Sequence, residues 1–245
     1  MTKPAKPRTR RRDPEPEPLA EPPAPAGWRR RLSRGLIALA GALLALVLLF
    51  SLVDPPATLT MRGEERRLGG IEQEWVDFED VAPVMARSIV AAEDANFCLH
   101  WGFDMGAIRQ AIDAGGQRGA STLTQQVVKN VYLWQGRSWP RKALEAVLTP
   151  LVELTWSKRR ILEVYMNVAE MGEGIFGVQA AARHWFKTDA ARLTPQQAAR
   201  LAAILPDPKG RNPAKPTRFV QRRAAAIADG ANTIRADGRA ACFEN

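Results

Sequence analysis

From residue 36 to residue 53 the sequence reads LIALAGALLALVLLFSLV, eighteen residues without a charge. At about 1.5 Å per residue a helix through this run nearly crosses the hydrocarbon core of a bilayer. A cleaved leader is the competing reading. The run is long for the apolar stretch of a signal peptide, however, and no clear small-x-small site precedes Asp54-Pro55-Pro56. We read 35–53 as a single transmembrane helix. Arg29, Arg30, Arg31 and Arg34 stand just before it, and positive flanks stay in the cytoplasm, so the remainder of the chain is expected outside.

That anchor divides the chain. Residues 1–27 hold eight of the eighteen prolines among Lys, Arg and Glu, too polar to bury a core, so 1–34 reads as a disordered basic tail. The same residues 1–34 carry ten basic and four acidic side chains, hence +6 of the formal +9. A nucleic-acid partner would rest mainly on this tail, where topology and anionic lipid already account for the charge, and none is expected. A linker, 54–74, follows, with a small hairpin or extended stretch expected over 54–80. The domain proper is placed at 75–235 and a C-terminal tail at 236–245. Cys98 and Cys242 lie 144 residues apart in no zinc-like spacing, and sequence leaves their pairing open.

The domain reads as mainly α. APVMARSIVAAEDANF sets Val84, Ser88, Ala91 and Ala92 at helical spacing, and DMGAIRQAIDAG puts Met105, Ile108 and Ile112 on one stripe that ends at Gly115 and Gly116. A glycine-rich turn then leads into STLTQQVVKNVYLW, with Ser121 or Thr122 as N-cap. RKALEAVLTPLVELTW and SKRRILEVYMNVAEM follow, with Ser157 as the cap between them. VQAAARHWF is a further helix, LTPQQAARLAAILP opens on Thr194 with Pro195 at the first helical position, and a last helix covers about 217–228. No internal repeat is visible.

Several chemistries lack their parts. GEGIFG at 172–177 matches G-x-G-x-x-G, but the residues before it read as helix rather than strand, so a loop between helices is expected. His100 and His184 are the only histidines and neither sits in a zinc-binding spacing. No serine is followed by lysine three residues on, which removes the S-x-x-K nucleophile.

Acid, base and cation chemistry remains. In AAEDANFCLHWGFD, Glu93 and Asp94 close an apolar helix, and adjacent helical positions point about 100° apart, so the two acids serve different ends. Thr122, Gln125 or Gln126, and Lys129 share a helix face. In GRSWPRKALE, Arg137, Arg141 and Lys142 gather around Glu145. Each feature alone is what a solvated helix face carries. Together, a carboxylate base and a cation cluster are what glycosyl transfer with a pyrophosphate leaving group requires.

The four segments EDANFCLHWGFD, RGASTLTQQVVKN, RKALE and SKRRILEVYMN, in this order, resemble the peptidoglycan glycosyltransferases of family 51, the domain also found at the front of bifunctional penicillin-binding proteins. The resemblance covers about Trp75 to Pro208, and NVYLWQGRSW with GEGIFGVQAAARHWF is similar to the monofunctional branch. It implies a lysozyme-like, two-lobed, mainly helical domain behind its anchor, on the periplasmic side of the bacterial inner membrane. The implied activity is inverting transfer of a lipid-linked nascent glycan onto the 4-hydroxyl of lipid II N-acetylglucosamine, releasing undecaprenyl pyrophosphate.

By the same resemblance Glu93 is the catalytic base and Glu145 the second catalytic acid group. Ser121, Thr122, Gln125, Gln126, Lys129, Asn130, Arg137, Arg141 and Lys142 bind substrate, while Asp94, Phe97, His100, Lys158, Glu163 and Asn167 support the motifs. No cofactor is required by the sequence; a divalent cation, Mg2+ or Mn2+, at the pyrophosphate is an open expectation with no dedicated metal cage in view. Lipid II, the nascent glycan, the membrane and other cell-wall synthases are the expected partners. Ala120 stands where the family usually has glycine, which matters if the turn needs a positive φ. A lysozyme-like glycan-cleaving enzyme and a non-enzymatic membrane-anchored scaffold are the alternatives. A hydrolase has no use for the Lys129 to Lys142 cations.

Overall fold

A computed structural model describes residues 26–115, 119–136 and 138–244. The proline-rich residues 1–25, Gly116 and Arg137 lie outside the described residues. Helix α1, Ala26–Phe50, contains the apolar run, and 28–50 is long and apolar enough to cross a membrane. Residues 26–34, assigned by composition to the tail, are its first turns, so the arginines before the apolar run are helical too. Leu36, Ile37 and Leu39 are exposed along it.

Residues 43–245 form one compact unit, which includes the last two turns of α1. There Val47 and Phe50 are buried, Trp156 Nε1 donates to the Val47 carbonyl at 2.8 Å, and Arg160 Nε donates to that of Phe50 at 3.2 Å. The final carbonyls of a helix have no partner within it, and these two side chains supply one.

The expected hairpin or linker over 54–80 instead contains a helix. α2 spans Leu59–Leu68, capped by Thr58 at its start and by left-handed Gly69 at its end. Two things hid it. Only Met61 is buried, so there is no apolar stripe, and its capping box uses the Met61 sulfur where the usual Glu or Gln would stand.

Seven helices carry the rest: α3 Pro83–Glu93, α4 Met105–Asp113, α5 Leu123–Tyr132, α6 Trp139–Thr155, α7 Lys158–Val168, α8 Val178–Phe186 and α9 Pro195–Ile204, with α10 Arg218–Ala236 and α11 Ala241–Glu244 closing the chain. Helix α7 is central. Ser157 caps it, and from Ile161 to Val168 only Glu163 escapes full burial. A helix segment buried on nearly every side is stable only where neighbours cover it. On α3 the buried positions are Met85, Ala86, Ser88, Ile89 and Val90, a face offset from the one periodicity suggested. The expected α4 stripe does not face a core: Met105 and Ile112 are exposed and Ala111 is the buried residue.

GEGIFG is neither phosphate loop nor plain loop. It forms the turn of a short hairpin, β2 Glu170–Gly172 and β3 Ile175–Phe176, with β1 Glu72–Gln73 parallel to β3 on its other edge. Gly177 closes it with φ 84°, and a Cβ there would lie 2.9 Å from the Asn167 carbonyl oxygen. The motif's last glycine is thus required by the close return of the chain onto α7.

Helix α10 continues eight residues beyond its expected end at 228, because Ile227, Ala231 and Ile234 extend the buried stripe past Gly230. The expected C-terminal tail 236–245 is not a free tail. Phe243 is fully buried, Cys242 is bonded to Cys98, and Glu244 pairs with Arg87 at 2.5 Å. One buried aromatic and one covalent link outweigh the polar composition that read as a tail.

The Cys98–Cys242 bond closes a loop of 144 residues. Replacing both cysteines with alanine is expected to lower unfolding stability by about 2–4 kcal/mol, measured by urea denaturation. Added reductant should destabilise the native protein similarly and leave the double variant unchanged.

Candidate active site

The site begins where α3 ends. Asp94, the residue after the helix, is buried and accepts hydrogen bonds from the Leu123 backbone N–H at 3.0 Å and from His100 Nε2 at 2.8 Å. Leu123 is the first residue of α5, so a carboxylate at the end of one helix satisfies an orphan N–H at the start of another. Thr122 is the N-cap of α5, forming a reciprocal capping box with Gln125, and its hydroxyl donates to the Gly102 carbonyl at 2.6 Å. Gly102 has φ 80°, and a Cβ there would meet the Thr149 methyl at 2.8 Å. Only glycine lets the loop pass between α5 and α6.

Phe97 is fully buried, and Lys158 Nζ lies 4.4 Å from its ring centroid while donating to the His100 carbonyl and to Glu153, both at 2.9 Å. Asn167 brackets Val76, accepting from its N–H and donating to its carbonyl at 2.9 Å each. Glu163 accepts from Phe78 N–H and from Arg160. Among the described residues, Lys187 is the one non-glycine with positive φ, so Ala120 meets no strain of the kind its substitution for glycine raised.

These supports leave Glu93 at a hollow shared with Asp94, Ser121 and Thr122, its carboxylate between Gln126 of α5 and Arg223 of α10. Its side chain is 13% exposed. Oε2 accepts from Gln126 Nε2 at 3.1 Å, and Gln126 Oε1 in turn accepts from the Tyr165 hydroxyl at 3.3 Å. Oε1 is buried and has no hydrogen-bond partner among the described residues; Arg223 Nη2 stands 3.8 Å away. Burial pushes the Glu93 carboxyl above its ordinary value, and the Gln126 hydrogen bond and the charges of Arg223 and Lys129 act against that rise. Burial likewise holds the Lys129 ammonium below its ordinary value, although Glu145 and Glu93 oppose the shift.

Glu145 is saturated rather than free. Oε2 accepts from Arg141 Nη1 at 2.8 Å, and Oε1 accepts from Gln125 at 3.3 Å and from Lys142 in a short contact. Beside it a cleft of about 450 Å³ is lined by Ser121, Gln125, Gln126, Lys129, Arg141, Lys142 and Glu145, with Gln135 and Gly136 at one side. Asn130 does not reach it. It lines an adjoining hollow of about 420 Å³ that shares Gln126, Lys129 and Gln135 and runs towards Tyr165, Pro206 and Lys209. A third hollow, also about 420 Å³, holds Glu93, Asp94 and Thr122 and meets the first at Ser121. The geometry therefore sets an isolated carboxylate beside a cation-rich trough.

Sequence reading missed Tyr165, Gln135 and Arg223. Tyr165 lies inside SKRRILEVYMN and its packing disguised its hydroxyl. Arg223 had no local signal, since it is one of two adjacent arginines on a helix 130 residues beyond Glu93.

The family model described as Transglycosylase matches residues 63–232. The chain belongs to the transglycosylase family. Relatives named biosynthetic peptidoglycan transglycosylase include those of Jannaschia sp. (strain CCS1), 57% identical over 217 residues that cover 89% of this chain and 91% of the relative. The Pseudomonas entomophila (strain L48) protein is 50% identical over 208 residues, 81% of this chain and 88% of its own length. That of Xanthomonas axonopodis pv. citri (strain 306) is 47% identical over 220 residues, 85% and 89%. The family match begins inside α2 and ends inside α10. A member of this family is a glycosyltransferase, and its site has to serve transfer.

Because the native Glu93 carboxyl titrates above its unfolded value, the folded state holds the extra proton and loses stability as pH rises from about 4.5 through the raised value. Glu93→Gln removes that loss. Its melting temperature, followed by circular dichroism, should match or exceed that of the native protein at pH 7, with the difference shrinking at pH 4.

Proposed function

We propose that the protein polymerises peptidoglycan glycan chains outside the bacterial inner membrane, using lipid II as acceptor and a lipid-linked nascent glycan as donor. What carries the reading is the mostly buried Glu93 carboxylate, bound through Oε2 to Gln126, which itself lines the cleft with Lys129, Arg141 and Lys142. Glu93 takes the proton from the acceptor 4-hydroxyl as that oxygen bonds to C1 of the donor sugar. The bond from C1 to the pyrophosphate oxygen breaks on the opposite face, the electron pair leaves with undecaprenyl pyrophosphate, and the anomeric centre inverts.

The cations meet the charge that develops on the leaving group. They are preorganised for it, since Arg141 and Lys142 are held by Glu145 before any substrate arrives. Arg137, next to this cluster in sequence, is assigned to the same task. Ser121, Gln125, Gln126 and Asn130 line the path of the sugars, and Thr122 holds the start of α5 beneath them. A pyrophosphate needs no strong general acid, which is why Glu145 can be spent on holding cations. That arrangement also counts against a hydrolase, because Glu145 is engaged by Arg141 and Lys142 rather than free to act as a second carboxylate.

A divalent cation at the pyrophosphate would be held chiefly by the substrate's own oxygens. Among the described residues no three His, Cys, Asp or Glu side chains converge, and Glu145 is already engaged by two cations. The single apolar helix fits a single-pass anchor, and the arginines before it support a catalytic unit on the periplasmic side. The Cys98–Cys242 bond suits that oxidising compartment. Other cell-wall synthases are proposed as neighbours in the same membrane.

The test is to give purified full-length protein labelled lipid II and resolve the products by gel. Native protein should yield polymer, Glu93→Gln should reduce the rate by about 100-fold or more, and Lys129→Ala should weaken donor use at subsaturating substrate. Absence of polymer from native protein, or full activity in Glu93→Gln, would refute the reading.

A further inference from the structure

We infer that Arg223, on α10, is the positioning residue that keeps Glu93 ionised. This rests on the reading of Glu93 as the base. The observation is a charge that comes close without bonding: Arg223 Nη2 is 3.8 Å from Oε1, beyond hydrogen-bond reach. Its Nη2 donates instead to the Ala92 carbonyl at 3.5 Å, and its Nε is buried without a partner among the described residues.

Two consequences follow from that placement. The carbonyl of Ala92 belongs to the last turn of α3, where carbonyls lack helical partners and a cation is favoured. Arg223 thus clamps the turn that carries Glu93. It also supplies positive charge to the carboxylate without a hydrogen bond to Oε1.

The balance around Glu93 is set from four elements. Asp94, next in its own chain, disfavours the carboxylate; Lys129 on α5 and Arg223 on α10 favour it; Tyr165 on α7 stays neutral, its hydroxyl held well above its ordinary value by burial. Lys129 faces both Glu93 and Glu145, with Arg141 and Lys142 also nearby, and burial weakens its own hold on a proton. When pyrophosphate enters, its negative charge draws on Lys129. Arg223 is then the cation left to Glu93 alone. It stands on the α3–α9–α10 packing of Ala199, Ala202, Ala203, Ala224 and Ile227, away from the pyrophosphate-side cleft.

Initial rates of polymer formation from labelled lipid II, taken from pH 5 to pH 9 with full-length native protein, Arg223→Gln, Arg223→Met and Arg223→Lys, decide the matter. Loss of an opposite charge at this range should move the acid limb of the rate profile up by about one pH unit in the Gln and Met variants. Arg223→Lys should hold the limb within about 0.3 unit of native, the scale of a longer charge separation. A limb that stays in place while the rate falls equally at every pH would assign Arg223 to packing and overturn the inference. So would failure of Lys to restore the limb, or loss of helicity in both neutral variants. A 13C titration of the Glu93 carboxyl, identified by its absence in Glu93→Gln, gives the same shift without turnover. If native protein makes no polymer but this titration moves, the base reading fails and the electrostatic contact stands.

Discussion

The buried carboxylate of Asp94 is the fixed point of this structure. It closes α3, accepts the first amide of α5, and holds His100, so three chain segments meet on two oxygens. A buried carboxylate left without such partners would be costly, and that penalty makes the junction specific. Everything that gives Glu93 its surroundings depends on it. With α5 docked by its N-terminus, Gln126 falls one turn along and reaches Glu93, and Lys129 follows on the same face.

Around that junction, charge is arranged in two different ways. Glu145 is paired with cations on every side and acts through them, whereas Glu93 keeps one oxygen without a hydrogen-bond partner. The two acids look alike in sequence but differ in what packs against them. Full pairing suits Glu145 to a framework, while partial burial and incomplete pairing suit Glu93 to the proposed role of base. The supporting side chains belong to the framework. Asn167 ties α7 to Val76, and Lys158 ties it to the loop around His100, so the helix most covered by others also holds the motif next to Glu93.

Much of this was legible in the chain because it is local. The apolar run of α1, the caps at Thr122, Ser157 and Thr194, and the i to i+7 face of α5 each follow from residues within two turns of one another. Asp94 and Glu93, being adjacent, had to point apart. Where reading failed, the sequence pattern did not show what holds or covers the element. Helix α2 lacks an apolar stripe and is held by its caps and by Met61. The α4 stripe reads as a core face yet lies exposed, since periodicity reports that apolar residues align and not what covers them. The last residues look like a free tail, and only Phe243 in its pocket and the bond to Cys98 make them part of the domain.

By itself the sequence determined the anchor, the helical class, the order of the motifs and the types of group at the site, because these depend on composition and on spacing along one helix. Tertiary structure decided which carboxylate is free, that Cys98 meets Cys242, and that Arg223 stands beside Glu93. Such facts depend on contacts between residues as much as 144 positions apart. Hydrophobic burial brings those segments together without encoding the meeting in any one of them.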